Sequence, residues 1–459
     1  MIHVTVWFIV LLISTFLFRK ASGSLSILQP NMISIAYYYS FLISSFIGPL
    51  LIVLEIDQYY MINKLTQEEY RWIGFYTIIG VMLFFPMILV MVSKLFGFDA
   101  INEYPRYLKK EISPIFKNSE EFFLFFLGLS IVSILAILYT ILNSPLIPIF
   151  EIMVGNSDLS PGQMRIEAAR NFQGNYLIRN IFGIALTPLL SLIAYCYSIY
   201  SKDLKWKSLF WILFVGSIFI NVYDLAKSPI FFYLIMFFLL RIYVGKMTLN
   251  VKKVLLLGSV GAGVLVSMYI VIQGVSDVSS FLSFNSGPVG RLIFAQISPT
   301  FLHFQVFGEL QPFLHGKSLP GSLINLFDID QIRSARLVMT EIFPEKVENG
   351  TAGVLNTLYV GEAYANFGYI GILVGTIYIA ILTQTLYIIF IRLPKDPVVI
   401  SLFVYFTINI PRTIVGGFTD FLFNPIWVFL VVLFGGFLFL FRVKNDVIAL
   451  LSNRKQSIR

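Results

Sequence analysis

The chain has 459 residues, of which 57% are hydrophobic and only 13% are charged. A soluble globular domain carries about 25% charged residues, so this composition excludes an ordinary soluble fold and favours a surface that faces lipid. The net charge of +8 does not indicate nucleic-acid binding, because the excess cations lie in short loops between apolar segments.

Eleven apolar segments approach the length of about 20 residues that a helix needs to cross a bilayer. The first resembles a signal peptide, but Arg19 and Lys20 follow it and no cation precedes it, which predicts an uncleaved anchor with an outside N-terminus. The sixth and seventh are short, and they could instead form one broken, re-entrant element. The predicted spans are 2–18, 31–54, 72–93, 122–143, 177–200, 208–223, 229–245, 254–273, 369–391, 398–415 and 425–441.

The distribution of Lys and Arg supports an all-α, polytopic membrane fold with about eleven transmembrane helices. With the N-terminus outside, 21 of the 33 cations fall on the cytoplasmic side, and each short cytoplasmic loop has at least two. Cytoplasmic loops of membrane proteins carry this excess of positive charge. The predicted divisions are helices 1 to 8 in residues 1–273, an external segment 274–368, helices 9 to 11 in 369–441, and a basic cytoplasmic tail 442–459.

The external segment 274–368 is the longest connection between predicted spans. A loop of this length is commonly functional. Its apolar stretches, such as Phe301-Leu302-His303-Phe304, predict short amphipathic helices that fold back on the membrane surface. The first half of the chain contains no matching segment, so the sequence lacks the internal repeat that secondary transporters often show.

Arginines on the external side are the candidate binding residues. Positive charge is disfavoured there, so arginines near the helix ends indicate a functional role. The planar guanidinium group suits a diphosphate and keeps its charge at any relevant pH. Alternatively, each arginine pairs with a nearby acid such as Glu167 or Asp330. The candidates are Arg165, Arg170, Arg291, Arg333 and Arg336.

Two residues are candidate general bases. His315 lies in the turn-like stretch Phe313-Leu314-His315-Gly316-Lys317-Ser318, and a histidine titrates near the working pH, although a lone loop histidine is often structural. Glu362 stands just before the ninth span, where a carboxylate could activate an acceptor hydroxyl or cap the helix. His303 lies among aromatic residues, which predicts a packed side chain.

Several other chemistries lack their sequence signatures. No phosphate-binding glycine-rich loop of the Walker type occurs, which argues against an NTPase. Three histidines and Cys196 are too few and too dispersed for a zinc site, and one cysteine allows no intrachain disulfide. Asp328-Ile329-Asp330 has the form of a metal-binding pair for nucleotide sugars, but it is predicted outside, where these substrates are not expected. We therefore predict neither a metal nor a cofactor.

Three local stretches stand out beside the layout of the spans. They are Tyr223-Asp224-Leu225-Ala226-Lys227-Ser228-Pro229 with the apolar residues after it, Gly290-Arg291, and Gly361-Glu362-Ala363-Tyr364-Ala365-Asn366-Phe367-Gly368. Together with the layout, they resemble the bacterial oligosaccharide repeat-unit polymerases, the O-antigen and capsule polymerases often called Wzy. The arginine-to-glycine spacing of some members is missing, because Leu302 stands eleven residues after Arg291.

This resemblance implies a metal-independent glycosyltransferase with a polyprenyl-diphosphate-linked glycan donor, in which external arginines are the functional residues. It implies lipid-linked oligosaccharide substrates at the outer face of the bacterial cytoplasmic (inner) membrane. Membrane lipid, a flippase and a chain-length regulator are the implied partners. Two alternatives stay open: an O-antigen ligase or other lipid-donor glycosyltransferase, and, from another class, a transporter or flippase for lipid-linked saccharides.

Overall fold

The computed structural model describes residues 2–115, 120–154, 159, 161–273, 281–285 and 287–457. These residues form helices joined by loops, with no β-strand among them. Nine helices within these ranges are long and apolar enough to cross a membrane, so the chain is a multi-pass membrane protein. They are Ile2–Ser22, Met32–Val53, Glu69–Leu95, Glu120–Leu142, Ile178–Ser201, Leu204–Val222, Tyr359–Arg392, Pro397–Ile414 and Thr419–Leu440.

The predicted spans 229–245 and 254–273 are also helical, but neither belongs to this set of nine. They form Lys227–Tyr243, of 17 residues, and Val251–Gln273, of 23 residues. Leu204–Val222 and Lys227–Tyr243 are separate helices rather than one broken element. The span Thr419–Leu440 consists of the short helix Thr419–Leu422 and the first part of the last helix, Pro425–Ser457. The last helix continues through most of the predicted tail. The start of the predicted external segment, 274–280, and residues 458–459 lie outside the described residues.

Short connections close one end of the bundle, which we call the short-loop end. Three of its helices begin at aspartates whose carboxylates accept a hydrogen bond from the backbone N–H two residues later. These N-caps are Asp99, Asp203 and Asp396, with distances of 3.1, 3.2 and 2.8 Å. Aspartate is among the preferred N-cap residues because its side chain satisfies an amide that the helix leaves unpaired.

The longer connections meet at the opposite, loop-rich end, whose described residues are 54–68, 143–154, 159, 161–177, 223–226, 287–358 and 415–424. The backbone N–H of Thr66 donates to the side-chain oxygen of Gln305, at 3.0 Å. The guanidinium of Arg170 donates to the carbonyl of Gly350, also at 3.0 Å. Connections that the sequence places on one side of the membrane are therefore neighbours in space.

The external segment contains short helices, but one of them is buried in protein rather than laid on a membrane surface as expected. All eight residues of Ser298–Gln305 are buried. A Cβ atom at Gly74 would come within 2.3 Å of the Phe301 ring, so the glycine makes room for this helix. The other short helices of the segment are Pro288–Phe294, Gly321–Ile324, Ser334–Ile342 and Pro344–Glu348.

The helix Tyr359–Arg392 is broken at Phe367 and Gly368, immediately before the predicted span 369–391. Gly368 has a φ of 59° and a ψ of −147°, a conformation that favours glycine. The N-terminal part of the helix is held by the turn before it, because the amides of Leu314 and His315 donate to the carbonyls of Ala365 and Asn366, at 2.8 and 3.0 Å. This arrangement fixes Glu362 in the loop-rich end.

Candidate functional site

Two adjoining cavities lie in the loop-rich end. The smaller has a volume of about 200 Å³ and the larger about 420 Å³. Asn356, Gly416 and Asp420 line both of them. The larger cavity lies among the ends of the membrane helices, whereas loops of the external segment form most of the wall of the smaller one. A single ligand could therefore extend from one cavity into the other.

One face of the helix Pro397–Ile414 supplies the charged wall of the larger cavity. Tyr405, Asn409 and Arg412 follow one another at spacings of four and three residues, which places them on the same face. The guanidinium of Arg412 lies 4.4 Å from the centre of the Phe232 ring and donates to the side-chain oxygen of Asn409, at 3.2 Å. Stacking on an aromatic face orients the cation without neutralising it.

Aromatic residues from two other helices complete the larger cavity. Tyr39 lies in Ala36–Phe46, a π-helical stretch of the second membrane helix, and such stretches are frequent at functional sites. Trp427 is fixed at the start of the last helix because Asn424 caps it, accepting from the amides of Ile426 and Trp427 at 3.1 Å each. The cavity thus combines aromatic faces, side-chain amides and one guanidinium group.

Glu362, a candidate general base in the sequence, lies in the wall of the smaller cavity. Its two carboxylate oxygens accept hydrogen bonds from two different groups of Thr419. One accepts the hydroxyl of Thr419 at 2.9 Å, and the other accepts the Thr419 backbone N–H at 3.0 Å. A Cβ atom at Gly417 would lie 2.6 Å from the Glu362 carboxylate, so only glycine permits this approach. Glu362 therefore joins the external segment to the turn that starts the last membrane helix.

The next residue, Asp420, faces both cavities. The carboxylate lies within electrostatic reach of Arg333, which is exposed and lines the smaller cavity. Neither residue takes part in an ion pair within the described part of the chain. Both charges are therefore available to a ligand.

A second group of cations lies beside the larger cavity. Lys227 is next to Ser228, which lines that cavity, and it lies within electrostatic reach of Arg165 and Arg291. Both arginines are exposed and form no ion pair with a described acid. We call Arg165, Arg291 and Lys227 the Lys227 cluster. Two of the five predicted arginines thus lie within electrostatic reach of Lys227, and a third, Arg333, lines the smaller cavity.

The remaining predicted residues lie away from the cavities. Arg170 donates to the carbonyls of Gly350 and Ala352, so its guanidinium joins two loops. Arg336 is exposed and lines neither cavity. His315 is exposed on its turn, with a φ of 48°, and also lines neither cavity. The roles predicted for these three residues stay predictions.

His303 is fully buried, as its aromatic neighbourhood predicts. One ring nitrogen lies 2.7 Å from the carbonyl of Pro299, and the other lies 3.4 Å from the hydroxyl of Ser334. Burial lowers the pKa of His303 to about 4, so the ring is neutral at physiological pH. His303 packs behind Gly361, beside the helix turn that carries Glu362.

Arg412 and Asp420 are not among the site residues predicted from the sequence. Arg412 carried a signal, because an ionisable residue within a membrane span indicates a function by default. Asp420 carried a weaker signal: it follows Gly416-Gly417 in the short connection between the last two membrane helices.

Comparison with known proteins finds no matching family model, no matching curated protein and no matching solved structure.

Proposed function

We propose that this protein is a polymerase that joins polyprenyl-diphosphate-linked oligosaccharide repeat units into O-antigen or capsular polysaccharide. The observation that carries the proposal is the meeting of cations and carboxylates in two joined cavities at the ends of membrane helices. A diphosphate leaving group needs positive charge, and an acceptor hydroxyl needs a base. A lipid-linked substrate needs both of these groups beside the apolar interior of the membrane.

The reaction follows from this arrangement. The Lys227 cluster and Arg412 bind the diphosphate of the growing chain, whose polyprenyl tail lies in the membrane. A hydroxyl of the next lipid-linked unit attacks the anomeric carbon, and the bond from that carbon to the diphosphate oxygen breaks. The polyprenyl diphosphate leaves with the bonding electrons, stabilised by the guanidinium groups, and a cavity carboxylate takes the hydroxyl proton. Holding both substrates in line supplies much of the rate.

We further propose eleven passes, with the loop-rich end at the outer face of the bacterial cytoplasmic membrane. The excess of Lys and Arg in the loops of the short-loop end supports this orientation. Cys196 is buried, so a Cys196→Ser background allows single cysteines to be placed. A membrane-impermeant thiol reagent should label Lys317→Cys in intact cells, and Lys205→Cys only after permeabilisation. The reverse pattern would contradict the orientation.

A deletion strain tests the activity. Accumulation of single-repeat glycan without long chains would support a polymerase. Long chains that stay on the lipid carrier and never reach their acceptor would identify a ligase instead. Intact long chains in the deletion strain would contradict both functions and leave the transporter or flippase alternative to be tested.

A further inference from the structure

Two carboxylates lie at the joined cavities, and the structure uses them differently. Both oxygens of Glu362 accept hydrogen bonds from Thr419, one from the hydroxyl and one from the backbone N–H. These bonds hold the short helix Thr419–Leu422 against the external segment. A carboxylate whose oxygens are both engaged in fixing the backbone is poorly placed to take a proton from a substrate.

Asp420 is the residue whose position those bonds determine. None of the hydrogen bonds and ion pairs formed by the described residues engages its carboxylate. The side chain is exposed and lines both cavities. A charged group that is held in place through its neighbour, yet forms no hydrogen bond or ion pair through its side chain with a described residue, is available for a ligand.

The walls of the two cavities suit different parts of the substrates. The larger cavity has Arg412 and adjoins the Lys227 cluster, so it suits the diphosphate and first sugar of the donor. The smaller cavity, of about 200 Å³, is lined by hydroxyls and amides of the external segment, which suit the hydroxyls of a sugar. These include Ser318, Gln331, Asn356 and Thr357.

Resting on the proposed function, we propose that Asp420 is the general base of the transfer and that the smaller cavity binds the acceptor sugar. The acceptor hydroxyl reaches the Asp420 carboxylate at the junction of the cavities and gives up its proton as its oxygen bonds to the anomeric carbon. The polyprenyl diphosphate departs into the larger cavity, and Asp420 then releases the proton to water. Glu362 is a positioning residue that fixes Asp420 through Thr419.

The pH dependence of the reaction distinguishes these two roles. The charged groups that face Asp420 are Arg333 from the external segment, Glu362 from the helix Tyr359–Arg392, and Arg412 from the helix Pro397–Ile414. Removing the base removes the rise of rate with pH that its ionisation causes. Removing a positioning residue lowers the rate and leaves that rise in place.

The experiment measures chain extension by the purified full-length protein in proteoliposomes, with a polyprenyl-diphosphate-linked oligosaccharide, from pH 3.5 to pH 9. This range includes the ordinary pKa of an aspartate, about 3.9. We expect Asp420→Asn and Asp420→Ser to lower the rate at least about 100-fold, with the acidic rise lost and donor binding within threefold of wild type. We expect Glu362→Gln to keep the acidic rise at a lower rate. Asp420 is exposed, so both of its variants should fold with an unchanged thermal midpoint.

Either of two results would overturn this assignment while leaving the proposed function intact. One is an Asp420→Asn protein that extends chains within threefold of wild type. The other is a Glu362→Gln protein that loses the acidic rise while Asp420→Asn retains it. Wild-type protein that forms no glycosidic bond in this assay would refute the proposed function itself, and this inference with it.

Discussion

At the short-loop end of the bundle, charged side chains bind to the protein itself. Arg392 pairs with Glu103 at 2.9 Å, and hydrogen bonding to this guanidinium holds the pKa of Glu103 below its ordinary value. The ammonium of Lys395 donates to the carbonyls of Tyr107, Leu108 and Lys110, at 3.1, 3.1 and 2.8 Å. These carbonyls end the helix Ala100–Lys109, so the charge closes a helix terminus.

The charges around the two cavities are arranged in the opposite way. Arg333, Arg291 and Asp420 form no ion pair with any described residue. The guanidinium of Arg412 contacts an aromatic ring and an amide, which leave its charge intact, and it forms no ion pair with a described residue. Charge at the short-loop end is thus used for folding, whereas these charges at the cavities are left for a ligand. Elsewhere in the loop-rich end, Arg71 and Asp57 form an ion pair at 2.6 Å. We therefore expect mutations at the short-loop end to lower stability and mutations at the cavities to lower activity.

The largest expected effect is on activity, at the Lys227 cluster. Arg291→Ala should lower chain extension at least about 100-fold, because the leaving diphosphate loses a charge-assisted partner. The thermal midpoint should stay within about 2 °C of wild type, since Arg291 is exposed and pairs with no described acid. Lys317→Ala, which removes another exposed cation of the external segment, is the matched control and should extend chains normally. Normal chain length in Arg291→Ala would refute the role of Arg291.

The second effect is on stability, at the short-loop end. Lys395→Met should destabilise the protein by about 2–4 kcal/mol, because three carbonyls lose their donor. Thermal unfolding in detergent measures this change. The activity of each correctly folded molecule should match wild type at a temperature well below the midpoint. A variant with normal stability would show that water replaces the ammonium. The inference that charge at the short-loop end serves folding, unlike charge at the cavities, would then be wrong.

The third effect is a loss of stability in acid, carried by His303. Its pKa is about 4 in the folded protein and about 6.5 when unfolded, so between these values the unfolded chain binds the extra proton. Stability therefore falls as the pH drops from 6.5 towards 4, by up to about 3 kcal/mol. The thermal midpoint of wild type should fall across this range, and His303→Gln should show a shallower slope. Equal slopes would mean that the ring is already accessible to water.

The smallest effect is expected at Arg170. Arg170→Lys should lower activity at most about threefold and stability by about 1 kcal/mol, because the structure joins its guanidinium to two loop carbonyls rather than to the cavities. Chain-extension rate and thermal midpoint measure both changes. A loss of activity as large as that of Arg291→Ala would show that Arg170 binds the diphosphate, as the sequence alone suggested.

The membrane helices could be predicted from the sequence, because the length of an apolar segment and its capping residues are local properties. Burial of Ser298–Gln305 was not predictable, since apolar residues meet lipid and protein equally well. The room for Phe301 depends on Gly74, which is far away in the chain. That Arg165 and Arg291 both lie near Lys227 agrees with the prediction that their segments share one side of the membrane. The hydrogen bonds of Arg170 could not be predicted, because every residue has a backbone carbonyl and the sequence does not show which carbonyls act as acceptors.

Asp420 and Arg412 show a further limit of sequence reasoning. They are distant in the chain from Arg333, and the packing of three elements brings these residues to the same cavities: the last turn of Pro397–Ile414, the short helix Thr419–Leu422 and the external segment. The hydrogen bonds between Glu362 and Thr419 make this connection. No spacing pattern encodes it, because the partners are 57 residues apart.

Reconstitution is the most direct test of the central claim that these cavities transfer a sugar from a lipid diphosphate. Purified protein in liposomes would be supplied with a single polyprenyl-diphosphate-linked oligosaccharide, and the glycans would be separated by size. The account predicts a ladder of longer chains, with one polyprenyl diphosphate released for each linkage formed. Movement of the intact lipid-linked oligosaccharide across the bilayer, without any new glycosidic bond, would contradict it.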